Sequence, residues 1–207
     1  MSKRQSDQES AQRLPGRLRF ARLVGELLSP PPILVALALV VAWDSSPTAA
    51  MAVVWGTIAA VFASLLPYAL ILRRVWRGRL SDTNISLREQ RIRFGVVAIT
   101  SILLGLAVLA AFDAPAEMVA LLASTAVGVA CGWVITLWWK ISVHAAIAAG
   151  AATVLVLVFG PALLAVWPLV ALIAWSRVQV GDHTPAQVLA GVVLGVVVNA
   201  VIFGQLA

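Results

Sequence analysis

Residues 183–205 read HTPAQVLAGVVLGVVVNAVIFGQ. After His183 the stretch carries no charge, and it is long enough for a helix that crosses a bilayer, which needs about 20 apolar residues. Thr184-Pro185 marks its start: threonine is a favoured N-cap, and proline fits the first helical position, where its missing N–H costs nothing. Outward from this run, further apolar segments lie at about 27–43, 49–72, 94–111, 116–139, 143–159 and 161–175. Gly160-Pro161 separates the last two. The whole chain of 207 residues is 61% hydrophobic and 12% charged, with a mean hydropathy of +0.98. These features predict an all-α polytopic membrane bundle of six to seven transmembrane helices. Seven spans follow from the count of segments, or six if Pro30-Pro31-Pro32 leaves the first only half inserted. Residues 1–26 form a basic cytoplasmic or interfacial segment, and 27–207 form one membrane-embedded domain.

Charge supplies an orientation. With loops on alternating sides, all 15 Lys and Arg fall on one side: six in residues 3–22, seven in 73–93, then Lys140 and Arg177. The other side holds Asp44, Asp113 and Glu117. Cationic loops stay cytoplasmic, so this side is predicted to face the cytoplasm. The pI near 11 is read as orientation signals and headgroup contacts, not as nucleic-acid binding. Arg13, Arg17, Arg19 and Arg22 alternate with Leu14, Leu18, Phe20 and Leu23, a pattern compatible with a short interfacial helix. The single cysteine, Cys131, excludes an intramolecular disulfide and a cysteine metal cluster. The N-terminal stretch lacks the apolar core and cleavage site of a signal peptide.

The chain has two histidines, each in a polar island beside an apolar segment: Lys140-Ile141-Ser142-Val143-His144 and Ser176-Arg177 through Asp182-His183-Thr184-Pro185. Titratable groups at a membrane boundary are costly and are functional candidates by default. Two imidazoles, two fixed cations and small hydroxyls suggest phosphate chemistry, in which positioning and electrostatics do most of the work. His183 just precedes a helix N-terminus, which attracts anions. Arg177 can grip phosphate oxygens in a planar fork. Lys140, four residues before His144, shares a face with it if the helix starts that early. Ser142 can hydrogen-bond phosphate.

Ser176-Arg177, five residues, His183 and then Gln187 resembles the third signature of the type 2 phosphatidic acid phosphatase superfamily, which reads Ser-Arg, five residues, His, three residues, Asp. Ser142-Val143-His144 resembles the second signature, Ser-Gly-His, with valine for glycine. Lys-Ile-Ser-x-His and His-Thr-Pro-Ala-Gln-Val resemble a bacterial membrane subgroup. The 73–93 loop stands where the first signature (Lys, six residues, Arg-Pro) would fall; it offers Arg88, Arg91 and Arg93 but no Arg-Pro. The resemblance implies that His183 is the nucleophile, passing through a phosphohistidine, and that His144 protonates the leaving oxygen and later activates water. It implies phosphate binding by Arg177, Lys140, Ser142, Arg88 and Arg91, with no metal and no cofactor. The family aspartate that orients the nucleophilic imidazole is Gln187 here. A glutamine carbonyl can accept the Nδ1–H and hold the tautomer, but cannot offset positive charge. Asp182 and Asp82 are the acids that could substitute.

Plainer readings stand beside these. Trp138-Trp139-Lys140 also reads as an interfacial anchor. Ser142 can cap a helix, as can Asp82. Arg73, Arg74, Arg77 and Arg79 read as orientation charges. Gly191-x-x-x-Gly195 and Gly128-x-x-x-Gly132 fit close helix packing in lipid, a weak signal alone. The resulting expectation is an integral membrane phosphatase of the bacterial inner membrane. It acts on a lipid or isoprenoid phosphate or diphosphate presented from the cytoplasmic leaflet, among membrane lipids, without nucleic acid, and a homo-oligomer is compatible with it. Two alternatives stay open: a lipid-phosphate binding or transport protein on the same scaffold, and a different prenyl-diphosphate-using enzyme.

Overall fold

The computed structural model describes residues 15–77 and 88–207, the side chains of 88–93 excepted. Arg88, Arg91 and Asp82 therefore lie outside the described side chains. All described regular structure is helical: α1 Gly16–Leu27, α2 Pro30–Ser45, α3 Ala49–Trp76, α4 Arg88–Ala111, α5 Ala116–Thr136, α6 Val143–Phe159, α7 Pro161–Gln179 and α8 Pro185–Leu206. Every expected apolar segment is a helix. Five helices are long and apolar enough to cross a membrane, and the bent pair α1–α2 makes a sixth. The remaining apolar helix, α6, has 17 residues. The chain is a multi-pass membrane protein.

The outer surface shows why. Leu189, Val193, Val197 and Val201 repeat every fourth residue along α8, and each is about half exposed. Such a stripe has no place in water and is at home against acyl chains. The opposite face of α8 is built from glycines. A Cβ at Gly191 would collide with the Ser142 carbonyl, and one at Gly195 with the Ala146 carbonyl. The α8 backbone therefore lies directly on α6, whose Ala145, Ala148, Ala149 and Ala152 are buried. Gly128 and Gly132 are looser, with nearest neighbours at 3.8 and 3.7 Å from a notional Cβ. Of the two small-residue spacings, only Gly191–Gly195 marks a tight helix crossing. Gly191→Val is expected to force α8 off α6 and to destabilise the protein by roughly 1–3 kcal/mol or more, read as a fall in melting temperature in detergent.

The N-terminal segment adds a packed face to the expected short helix. α1 is a helix, but its buried face is Ala21, Val24 and Gly25, while Phe20, Leu23 and Leu27 are more than half exposed. It is set 43° from α2 because Ser29 is extended ahead of Pro30, a conformation the following proline favours. Two π-helical turns, Val61–Leu65 in α3 and Asn199–Phe203 in α8, interrupt long helices. At the first, the Phe62 carbonyl accepts the Ser101 hydroxyl at 2.6 Å, and Ser64 donates to the Pro31 carbonyl at 3.1 Å. These two buried hydroxyls thus find backbone partners on neighbouring helices, as an environment without water favours.

Candidate active site

The two polar islands meet. α5 ends at Thr136 and α6 begins at Val143, so Lys140 precedes the helix and does not share a helical face with His144. Its ammonium instead donates to the Asp182 backbone carbonyl in the other island. The Ser142 N–H donates to the Gln187 carbonyl at 3.2 Å, a second tie between the islands. Ser142 itself is fully buried and caps α6, accepting from the Ala145 N–H at 3.4 Å. Its hydroxyl is not among the groups that line the cavity described below, and its oxygen serves as the cap.

The second island is a tight turn between α7 and α8. Gly181 has φ of +80°, a left-handed conformation that glycine adopts without a Cβ penalty. The turn folds the Asp182 carboxylate back onto the Arg177 guanidinium as an ion pair, and the His183 N–H donates to the Arg177 carbonyl at 3.3 Å. Asp182 thus pairs with the arginine, and the group that reaches the His183 ring is Gln187. Arg177 is 4% exposed, and its buried Nε has no hydrogen-bond partner among the described residues. A buried guanidinium N–H left unpaired is costly and is the kind of donor an anionic ligand would satisfy.

At the start of α8, Thr184 and Gln187 form a capping box: the Gln187 N–H donates to the Thr184 hydroxyl at 3.3 Å, and the Thr184 N–H donates to Gln187 Oε1 at 3.2 Å. The same Oε1 lies 3.3 Å from His183 Nδ1. This shared atom determines the tautomer. A backbone N–H can only donate, so the atom facing it is the amide oxygen; an oxygen can only accept, so the proton sits on Nδ1. The lone pair of the neutral ring is then on Nε2. Gln187→Ala is expected to release that choice. Forcing a wrong tautomer costs as much as about 10⁴-fold in a serine protease triad. Alanine leaves both tautomers open, so the expected loss of turnover is about 10–100-fold, with about 1 kcal/mol of stability lost with the capping box.

His144, the second residue of α6, lies within electrostatic reach of the Gly25 backbone in α1 and of both Arg177 and His183. All three line one cavity of about 760 Å³ with Lys140, Asp182 and Arg22. From this polar end the cavity runs inward past Ile102, Leu121 and Leu194 to Asn199, roughly 20 Å along α8 from Pro185 at ~1.5 Å per residue. Sequence reasoning missed α1 as part of this wall, since an Arg-rich amphipathic stretch signals a membrane surface and nothing in it announces a docking partner. It also missed Asn199, whose amide donates to the Gly195 carbonyl at 2.9 Å; a lone polar residue deep in an apolar run was the available signal. Among the described residues, no group of three or more metal-ligating side chains is gathered.

Fold and site together define a multi-pass helical membrane protein with a basic, two-histidine cavity let into one end of its bundle. Residues 139–207 match the family model of the PAP2 superfamily, which supports a relationship with the type 2 phosphatidic acid phosphatase superfamily. The match spans both polar islands and helices α6 to α8; residues 1–138 lie outside it. No curated protein and no solved structure matches the chain.

Proposed function

We propose that the protein is an integral membrane phosphatase that hydrolyses a lipid or isoprenoid phosphate or diphosphate through a phosphohistidine. The carrying observation is the sharing of one cavity by the buried Arg177, the His144 ring and a His183 ring pinned through Nδ1 by Gln187. His183 Nε2 attacks phosphorus, and the bond to the leaving oxygen breaks as His144 delivers a proton to it. His144, now neutral, takes a proton from water, whose oxygen attacks the phosphohistidine and releases inorganic phosphate and the original His183 ring. Arg177 and Lys140 offset charge on the equatorial oxygens. The apolar depth of the cavity receives part of the lipid chain. Before substrate enters, the Asp182 carboxylate is the anion on Arg177, so phosphate must displace it. The one-sided distribution of Lys and Arg supports a site facing the cytoplasm.

The test is phosphate release by the purified chain from a panel of lipid phosphates and prenyl diphosphates, with and without vanadate. Vanadate-sensitive release is expected. No release from any member of the panel, with bound polyprenyl phosphate retained, would favour a second reading: a binding protein on the same scaffold. Gln187 in the aspartate position and Asp182 already seated on Arg177 are what favour that reading.

A further inference from the structure

We infer that α1 is a wall of the anion site and that Gly25 is the residue through which it positions both Arg177 and His144. Three observations meet at this residue. A Cβ built on Gly25 would stand 2.6 Å from Arg177 Nη1 and 3.7 Å from the Ser176 hydroxyl. The His144 ring lies close enough to the Gly25 backbone to interact with it. Arg22 and Glu26, on the same helix, line the same cavity as the two histidines. Glycine at this position lets the guanidinium lie against the bare helix backbone, and the same stretch of backbone borders the imidazole.

The seat of α1 lies outside the cavity. Phe20 packs on Trp175 of α7 with ring centroids 6.1 Å apart, and the Arg17 guanidinium stands 5.7 Å over the same ring. Neither Phe20 nor Arg17 lines the cavity. Aromatic and cation–π contacts of this kind give a modest, adjustable anchorage. α1 therefore docks along α7, at an angle to α2, and closes over the arginine that α7 carries.

The clash that a side chain at position 25 would create is with the tip of Arg177, not with backbone. The helix can keep its place while the guanidinium moves. Gly25→Ala should therefore leave the fold standing and disturb the site, and a misplacement of about 1 Å in a catalytic constellation can cost on the order of 10²-fold. The inference rests on the phosphatase reading only for its kinetic arm. With two histidines in the chain, ¹⁵N-histidine-labelled full-length protein in nanodiscs gives two ring environments, assigned with His144→Gln. Gly25→Ala is expected to shift the His144 ring signals and to weaken vanadate binding about tenfold or more, with the melting temperature nearly unchanged. Where substrate turnover is measured, the fall in kcat is expected to exceed the rise in KM. The double variant Arg17→Ala/Phe20→Ala, which loosens α1 without adding a side chain, moves the His144 signals and vanadate affinity in the same direction by a smaller amount. Wild-type His144 signals and vanadate affinity in Gly25→Ala, or in the double variant if Gly25→Ala does not fold, overturn the inference and leave the phosphatase reading intact. Shifted signals in a protein that releases no phosphate from any lipid do the reverse.

Discussion

His183→Ala is expected to abolish the proposed phosphate release, with turnover falling by roughly 10⁴-fold or more while the protein stays folded. The size follows from the role proposed for the ring. A general acid contributes about 10²–10⁴-fold, but a nucleophile carries the covalent intermediate, and its loss removes the whole two-step path. The fold is spared because the backbone tie of His183, its N–H to the Arg177 carbonyl, survives the loss of the ring and of its Nδ1 contact with Gln187. Thr184 and Gln187 still close the capping box that starts α8. Rapid-quench trapping of ³²P on the wild-type protein and its absence from His183→Ala checks the assignment. Labelled phosphoenzyme that persists in His183→Ala would move the nucleophile elsewhere.

Arg177→Lys is the second large expected effect: turnover should fall by about 10³-fold although the charge is retained. A transition-state arginine is worth about 10³–10⁵-fold, and lysine offers a point charge in place of a planar fork. The site adds its own reason. The guanidinium lies against Gly25, holds Asp182 and leaves Nε unpaired, and an ammonium on a flexible stem cannot meet all three geometries. Arg177→Ala adds a stability loss, since Asp182 and the cavity lose their cation. Breaking a fully buried pair costs about 3–5 kcal/mol. The Asp182 side chain keeps 32% of its surface, which brings the expected loss to roughly 1–2 kcal/mol. Steady-state kinetics with a melting curve separates the two variants, and Arg177→Lys within threefold of wild type would remove the arginine from the transition state.

Much of this architecture was legible residue by residue. Runs such as 185–205 could only be membrane helices, because no soluble core accommodates so much apolar surface on so many segments. Thr184-Pro185 marked the start of α8 at the residue where it begins. The ambiguous residues were those with two chemically sound uses. Ser142 can cap or bind, and burial inside the α6–α8 crossing gives it to capping. Lys140 read as a helical neighbour of His144, yet the turn after α5 sends its ammonium to Asp182. Asp182 was a substitute orienting acid on paper; the left-handed turn at Gly181 brings it to Arg177 instead.

Taken alone, the sequence determined the helical class and the approximate ends of the apolar helices, and it named the polar residues proposed to handle phosphate. These depend on local hydropathy, on capping chemistry and on charge, all of which are properties of contiguous residues. The tertiary structure decided which of those groups face one another. It brought an N-terminal glycine against an arginine more than 150 positions later, and it made one glutamine oxygen serve both a helix cap and an imidazole. Contacts of that kind depend on how closely helices distant in the chain can approach, and that is set by the shapes of packed surfaces, which no window along the chain contains.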